Sequence, residues 1–205
     1  MAAVANGSRT RLDPAARRAQ LVALGVDMLS TRPLDQVVID EIATEAGISR
    51  GLLFHYFPTK RDFHVAVVQA AADDLCARTE PDPTLPVPER LRASLEAFVD
   101  YVSDNRDVYI ALLRGTAGGD PALRAVVDET RSRFTGWVLA GKSVTDPVPA
   151  RLRLAARGWV AFTEEATLDW LSSGDLGRTD LIDLLDEALV RLMAVASRQE
   201  STASS

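Results

Sequence analysis

Cysteine, histidine, strand-forming runs and long apolar stretches are all scarce in this sequence, and each scarcity removes a class of protein. One cysteine, Cys76, in 205 residues permits no internal disulfide. With only His55 and His64 beside it, no Cys/His cluster has metal-ligand spacing, so neither a metal nor a cofactor is expected. Cys76 itself is expected to be a small helix-packing residue. The opening segment, MAAVANGSRTRLDPAARR, has no apolar run between its small residues and its arginines, so neither a signal peptide nor a membrane span is expected and the cytoplasm is the expected compartment. Sustained period-2 alternation and Asn-Gly hairpins are missing, and the only short β-branched run is Val37 to Ile39.

Net charge is −6, which argues against indiscriminate binding to nucleic acid. The acid is unevenly placed. The first 60 residues hold seven basic and six acidic side chains, and the remaining 145 hold sixteen and twenty-three. Arg9, Arg11, Arg17, Arg18, Arg50 and Lys60 lie in the N-terminal arm, at a helix start or near the segment SRGLLFHYFPTKRDF, whereas Asp40, Glu41 and Glu45 fall on another segment. A local basic face is compatible with the acidic total.

What remains reads as an all-α chain of about nine helices, with 47% hydrophobic residues to fill a core. A first helix is expected from Pro14 to Ser30, capped by Asp13, with Leu21, Leu24, Gly25, Met28 and Leu29 inward. TRPLDQV breaks it. A second, Ile39 to Ala46, buries Ile39, Ile42 and Ala43 and stops at Gly47, and Ser49 caps a third. After Pro58 a long helix opens at Thr59, with Phe63, Val67, Ala70, Ala71 and Leu75 inward. Five more are expected at about Glu89–Ser103, Asp107–Arg114, Pro121–Ala140, Val148–Ser172 and Thr179–Ala196, separated by Pro/Gly-rich breaks. The domain divisions expected are a disordered arm 1–12, a small domain 13–60, a larger one 61–198 and a disordered tail 199–205.

The second and third helices are separated by only AGIS, the spacing of a helix-turn-helix unit, whose second helix enters a DNA major groove. Six consecutive bulky residues, LLFHYF, cover the whole circumference of that helix, so some must face outward. With Leu53 toward the core and about 100° per residue, Phe57 and Tyr56 stay near it, while Gly51 and His55 fall opposite, flanked by Leu52 and Phe54. Gly51 permits close approach to base edges, His55 and Tyr56 offer polar groups, and Leu52 and Phe54 offer apolar surface to thymine methyls. Thr59 and Lys60, opening the next helix, suit a backbone phosphate. GISRG also fits the G-x-S-x-G nucleophile elbow around Ser49, but that device needs a strand before the turn, whereas IDEIATEA is helical in pattern. Turn-linked helix pairs also occur in proteins that never touch DNA, so a small all-α enzyme and a helical scaffold remain as alternatives.

The stretch from about Asp13 to Gln69 resembles the DNA-binding domain of TetR-family transcriptional repressors. It carries AxLxxxGxxML, here Ala19 to Leu29, and then VVIDEIATEAGISRGLLFHYFPTKRDF. The resemblance implies base and phosphate contacts by Arg50, Gly51, Leu52, Phe54, His55 and Tyr56, and a phosphate clamp by Lys60. Leu52 stands where many members have a small polar residue, and Phe54 where many have tyrosine.

The resemblance further implies a homodimer on a palindromic operator, released by a small hydrophobic effector, with no catalytic role. VAFTEEATLDWLSSGDLGRTDLIDLLDEALVRLMAV resembles the family's C-terminal helix pair. Its apolar stripe, Leu181, Leu184, Leu185, Ala188, Leu189 and Leu192, is expected to complete a four-helix dimer interface. Aromatics of the middle helices, Phe98, Tyr101, Tyr109, Phe134, Trp137, Trp159 and Phe162, are candidates for an effector pocket. Glu164 and Glu165 follow an apolar run; one could meet a basic ligand, pair with Arg153 or Arg157, or face solvent.

Overall fold

A computed structural model describes residues 13–114, 119–141 and 147–198. The arm 1–12 and the tail 199–205, both expected to be disordered, lie outside the described residues. Among those described are nine α-helices, one 3-10 turn and no strand. The helices are α1 (Pro14–Leu29), α2 (Ile39–Glu45), α3 (Arg50–Tyr56), α4 (Lys60–Thr79), α5 (Val87–Asp104), α6 (Arg106–Arg114), α7 (Pro121–Ala140), α8 (Ala150–Ser173) and α9 (Arg178–Ser197). Two compact units divide within α4: Met1–Ala70 and Ala71–Ser205. The first turns of α4 therefore count with the N-terminal unit.

In that first unit the starts of α1, α3 and α4 are fixed by side chains, whereas α2 starts at Val38 without one. Asp13 Oδ1 accepts from the Ala16 amide at 2.8 Å, with Pro14 in the first turn of α1. Ser49 Oγ accepts from the Leu52 amide at 3.2 Å and starts α3. Before α4, the Asp62 amide donates to Thr59 Oγ1 at 3.1 Å while the Thr59 amide donates to Asp62 Oδ2 at 3.0 Å, a reciprocal cap with aspartate in the usual glutamate role. The sharp turn between α2 and α3 uses Gly47 at φ 65°, a left-handed conformation that a Cβ would penalise.

Leu21, Leu29, Val37, Ile42, Leu53, Phe57, Phe63 and Val67 are each no more than 1% exposed and form this unit's core. Burying each such side chain contributes about 1.5–3 kcal/mol. Gly25 lets α1 lie against α4, because a Cβ there would sit 2.4 Å from Val67 Cγ2 and 2.9 Å from Phe63 Cζ. TRPLDQV is not a plain break: Leu34–Gln36 form the 3-10 turn and insert Leu34 and Val37 into the core.

In the second unit α8 packs against both α7 and α9, and α5 packs against α9. The buried Trp159 indole N–H donates to the Leu185 carbonyl at 2.8 Å, joining α8 to α9. Arg178 grips Asp100 through Nε at 2.6 Å and Nη2 at 2.8 Å, and Arg92 reaches Asp183 at 2.7 Å, so two ion pairs fix α9 along α5. Gly174, at φ 67°, closes α8.

The α9 stripe expected to meet a second subunit splits in two. Leu181, Leu185 and Leu189 are 0–3% exposed inside their own protomer, on the helix that packs against α5 and α8. Leu184 and Leu192 stay exposed, with Ala188 half-buried between them and Val195 exposed a turn beyond. No described helix is long and apolar enough to cross a membrane.

Candidate nucleic-acid interface and cavity

The short helix α3 is held by its N-cap and by two anchors. Leu53 and Phe57 point into the core at 0% and 1% exposure, Phe57 making an edge-on contact with Phe63 at 5.1 Å between centroids and carrying the Arg18 guanidinium over its face. With those positions inward, the rest of the helix turns out. Arg50, Gly51, Leu52 and His55 are exposed, and Phe54 and Tyr56 are half-buried along the flanks. Space beside Gly51 is open, the nearest atom to an added Cβ being Ser49 Oγ at 4.0 Å. A surface with one cation, one imidazole, a phenol and two apolar side chains around a bare backbone position can contact both base edges and thymine methyls.

The fold alters the electrostatics read from the sequence. Asp40 and Glu41, on a segment separate from the arginines in sequence, come into direct contact with them. Asp40 Oδ2 lies 3.0 Å from Arg50 Nη1, and Glu41 Oε2 lies 2.6 Å from Arg32 Nη1. Both pairs are exposed, so each contributes at most about 1 kcal/mol and can be exchanged for phosphate. Lys60 and Thr59 are exposed at the start of α4, with Lys60 Nζ donating to the Asp35 carbonyl at 3.2 Å. His64, one turn on, is half-buried; burial lowers its pKa, and its contact with the Val37 carbonyl opposes that. Arg9 and Arg11 lie outside the described residues.

No strand leads into Ser49, and its hydroxyl oxygen is occupied as the α3 cap, so GISRG is a helix start and not a nucleophile elbow. Among the described residues no group of three or more His, Cys, Asp or Glu is placed to hold a metal ion.

The second unit contains a small, largely apolar cleft with a cavity volume of about 50 Å³, partly open to solvent, between α5, α7 and α8. Five of the eight pocket candidates line it: Phe98, Phe134, Trp137, Trp159 and Glu164. The rings form a connected series, Tyr109 edge-on to Phe98 at 5.8 Å, Phe98 edge-on to Phe134 at 6.0 Å, and Phe134 tilted against Trp137 at 5.2 Å. Tyr101 and Tyr109 are buried core residues that do not line the cleft, and burial pushes the Tyr101 phenol up to about 12. Phe162 does not belong to the cleft: at 42% exposure it points outward, because two residues along a helix turn it about 200° from Glu164. Sequence reasoning missed Leu91, Leu95, Val138 and Thr163, which line the cleft but carry no pattern distinguishing them from ordinary core.

Glu164 is 7% exposed and pairs with a residue that sequence spacing does not single out. Its partner is Arg131 of α7, with Nη2 to Oε2 at 2.8 Å; the expected partners Arg153 and Arg157 are exposed on α8 itself. Burial raises the Glu164 pKa and the guanidinium opposes the rise. Glu165 is exposed.

Comparison with known proteins accounts for both units. Residues 21–67 match the family described as "Bacterial regulatory proteins, tetR family", and residues 87–193 match "Tetracyclin repressor-like, C-terminal domain". A crystal structure of a tetR-family transcriptional regulator from Streptomyces coelicolor is 36% identical and superposes with a TM-score of 0.81 over 94% of this chain and 87% of that one. The HTH-type transcriptional activator FasR of Mycolicibacterium smegmatis is 29% identical over 82% of this chain and 80% of its own length. The HTH-type transcriptional regulator RutR of Escherichia coli is 31% identical over 66% of this chain and 68% of its own. These relatives are regulators and not enzymes, and their likeness runs through the recognition helix and the helical domain that follows it: the chain belongs to the TetR family of transcriptional regulators.

Proposed function

We propose that this regulator is a homodimeric repressor that holds a palindromic DNA operator through α3 and releases it when a small, mainly apolar molecule enters the cleft between α5, α7 and α8. The observation that carries the DNA-binding half is the rotation of α3: Leu53 and Phe57 anchor it, and Arg50, Gly51, Leu52 and His55 face solvent. Phe54 and Tyr56 flank that face, with Thr59 and Lys60 at the next helix start placed for backbone phosphate. An aromatic-walled cleft with one buried ion pair supports the ligand half.

A single such helix reads only a half-site, so two copies are needed with their recognition helices about 34 Å apart on B-DNA. The surfaces that suit self-association are the outward apolar stripes. On α8 these are Leu154, Gly158, Ala161 and Phe162, with Leu154 73% exposed; on α9 they are Leu184, Ala188, Leu192 and Val195. Contiguous apolar surface of this kind marks an interaction site, and Gly158, with nothing within 4 Å of an added Cβ, leaves room for close helix approach.

Selection of bound fragments from random duplex DNA at near-physiological salt tests the reading. Recovery of a two-fold symmetric site whose half-sites lie about one helical turn apart is the expected result. Enrichment of no sequence, with binding abolished by modest salt, is the result that defeats it.

A further inference from the structure

The α8 wall of the cleft carries hydrogen-bonding capacity that packing does not consume. Arg131 makes three contacts with the Glu164 carboxylate: Nε to Oε1 at 3.2 Å, Nε to Oε2 at 3.0 Å and Nη2 to Oε2 at 2.8 Å. Two fall on Oε2. Oε1 receives only the longest, and a carboxylate has about four acceptor sites, so Oε1 keeps room for a donor.

Thr163, next to Glu164 on the wall, has the matching vacancy. The buried helical threonines Thr79, Thr130 and Thr135 each donate to the carbonyl four residues back, at 2.7, 2.8 and 2.7 Å. Thr163 and Thr167, at 5% and 0% exposure, do not; their hydroxyls have no partner, nor does the phenol of Tyr109 at 2%. A buried polar group left unsatisfied costs about 1–3 kcal/mol. Three other polar groups of the lining are engaged: Thr79 with the Leu75 carbonyl, Ser94 with the Thr79 carbonyl and the Trp159 N–H with the Leu185 carbonyl.

Charge selects among possible head groups. Glu164 lines the cleft and Arg131 does not. An anion seated there meets a carboxylate before it meets the guanidinium. A cation meets a carboxylate already neutralised, and either displaces Arg131 or is buried as a surplus charge. An uncharged group that both donates and accepts leaves the ion pair intact, giving its proton to Glu164 Oε1 and taking one from Thr163 Oγ1.

We propose that the cleft takes an uncharged amphipathic molecule, an alkyl or aryl body ending in a hydroxyl or primary amide, with its head on Glu164 Oε1 and Thr163 Oγ1 and its body against Phe98, Phe134 and Trp137. This rests on the effector reading above and specifies the chemistry of that effector.

The test titrates the full chain with 1-octanol, octanamide, octanoate and octylammonium, following the emission of the tryptophans, of which Trp137 and Trp159 line the cleft. Octanol and octanamide are expected to bind about tenfold more tightly than either ion, the equivalent of one good hydrogen bond. Thr163→Ser keeps that preference and Thr163→Val loses it. Tightest binding by octanoate or by octylammonium, equal binding by all four, or saturation by none overturns the proposal; so does a preference that survives Thr163→Val. Affinity for the selected DNA is measured on the same samples. Octanol that binds with the expected preference yet leaves DNA affinity unchanged defeats the effector reading while the head-group assignment stands.

Discussion

Arg50, in the first turn of α3, is tied to Asp40, in the first turn of α2, with Nη1 3.0 Å from Oδ2, and its guanidinium leans over the Phe54 ring at 5.5 Å from the centroid. The carboxylate and the ring hold the cation across the outer face of the recognition helix. Because the pair is exposed, it orients the side chain and adds little stability.

Arg50→Ala is therefore expected to change the melting free energy by less than about 1 kcal/mol and to weaken specific DNA binding by about 1–3 kcal/mol. Asp40→Asn should act in the opposite sense on DNA, strengthening binding to every sequence by removing an anion from the face. Thermal melts and titrations with matched and scrambled duplexes at one salt concentration check both. Weaker binding by Asp40→Asn would mean that the carboxylate's positioning of Arg50 outweighs its repulsion of phosphate.

Lys60 is expected to contact phosphate only. Lys60→Ala should lower affinity for all sequences about equally and reduce the slope of log K against log salt by about 0.9. A changed base preference in a selection experiment would count against a phosphate-only role.

The two sides of α3 should fail differently. His55→Ala removes an exposed side chain and should cost about 1–3 kcal/mol of specific affinity with melting nearly unchanged. Leu53→Ala removes a fully buried one and should destabilise the first unit by about 2–5 kcal/mol, with DNA binding lost only through unfolding. A stable Leu53→Ala protein that cannot bind DNA would contradict the observed rotation.

The contrast between the two units shows what a sequence makes legible. The helix starts at Asp13, Ser49 and Thr59 and the turn at Gly47 are set by neighbours within a few residues, so they could be read directly. With Leu53 set toward the core, helical periodicity alone put Gly51 and His55 on the opposite side, and both are exposed. Pairings between helices did not follow from periodicity. Glu164 meets Arg131 across thirty-three positions, and Asp40 meets Arg50 across ten, because helix packing and not spacing brings them together. On α9, periodicity marked one broad apolar stripe but could not tell which edge its own protomer covers. The fold divides it, with Leu185 at 0% and Leu184 at 50% exposure one residue apart.

That division yields a direct test of assembly. Leu184→Glu combined with Leu192→Glu alters only exposed positions, so the protein should stay folded and sediment as a monomer with operator affinity sharply reduced. Leu185→Glu buries an unpaired charge and should unfold the second unit. A dimer that survives the double change would place the interface elsewhere, the α8 stripe around Leu154 and Phe162 being next to alter.

The Arg131–Glu164 pair should show an asymmetry in pH dependence. Burial raises the Glu164 pKa and Arg131 restrains the rise. A carboxyl whose pKa is higher in the folded than in the unfolded state makes folding less favourable as pH climbs from its unfolded value, ordinarily 4.5, through its folded one; below that window the penalty vanishes. Arg131→Met removes the restraint and leaves a buried carboxylate unpaired, so at neutral pH it should cost about 3–5 kcal/mol, most of it regained relative to wild type as Glu164 takes up its proton on acidification. Glu164→Gln leaves Arg131 instead, a side chain 36% exposed that can turn to water, and should change neutral-pH stability by no more than about 1 kcal/mol. Urea midpoints for both variants across a pH series decide the matter, since equal, pH-independent losses would mean that Glu164 is hydrated and that the cleft has no buried charge at its wall.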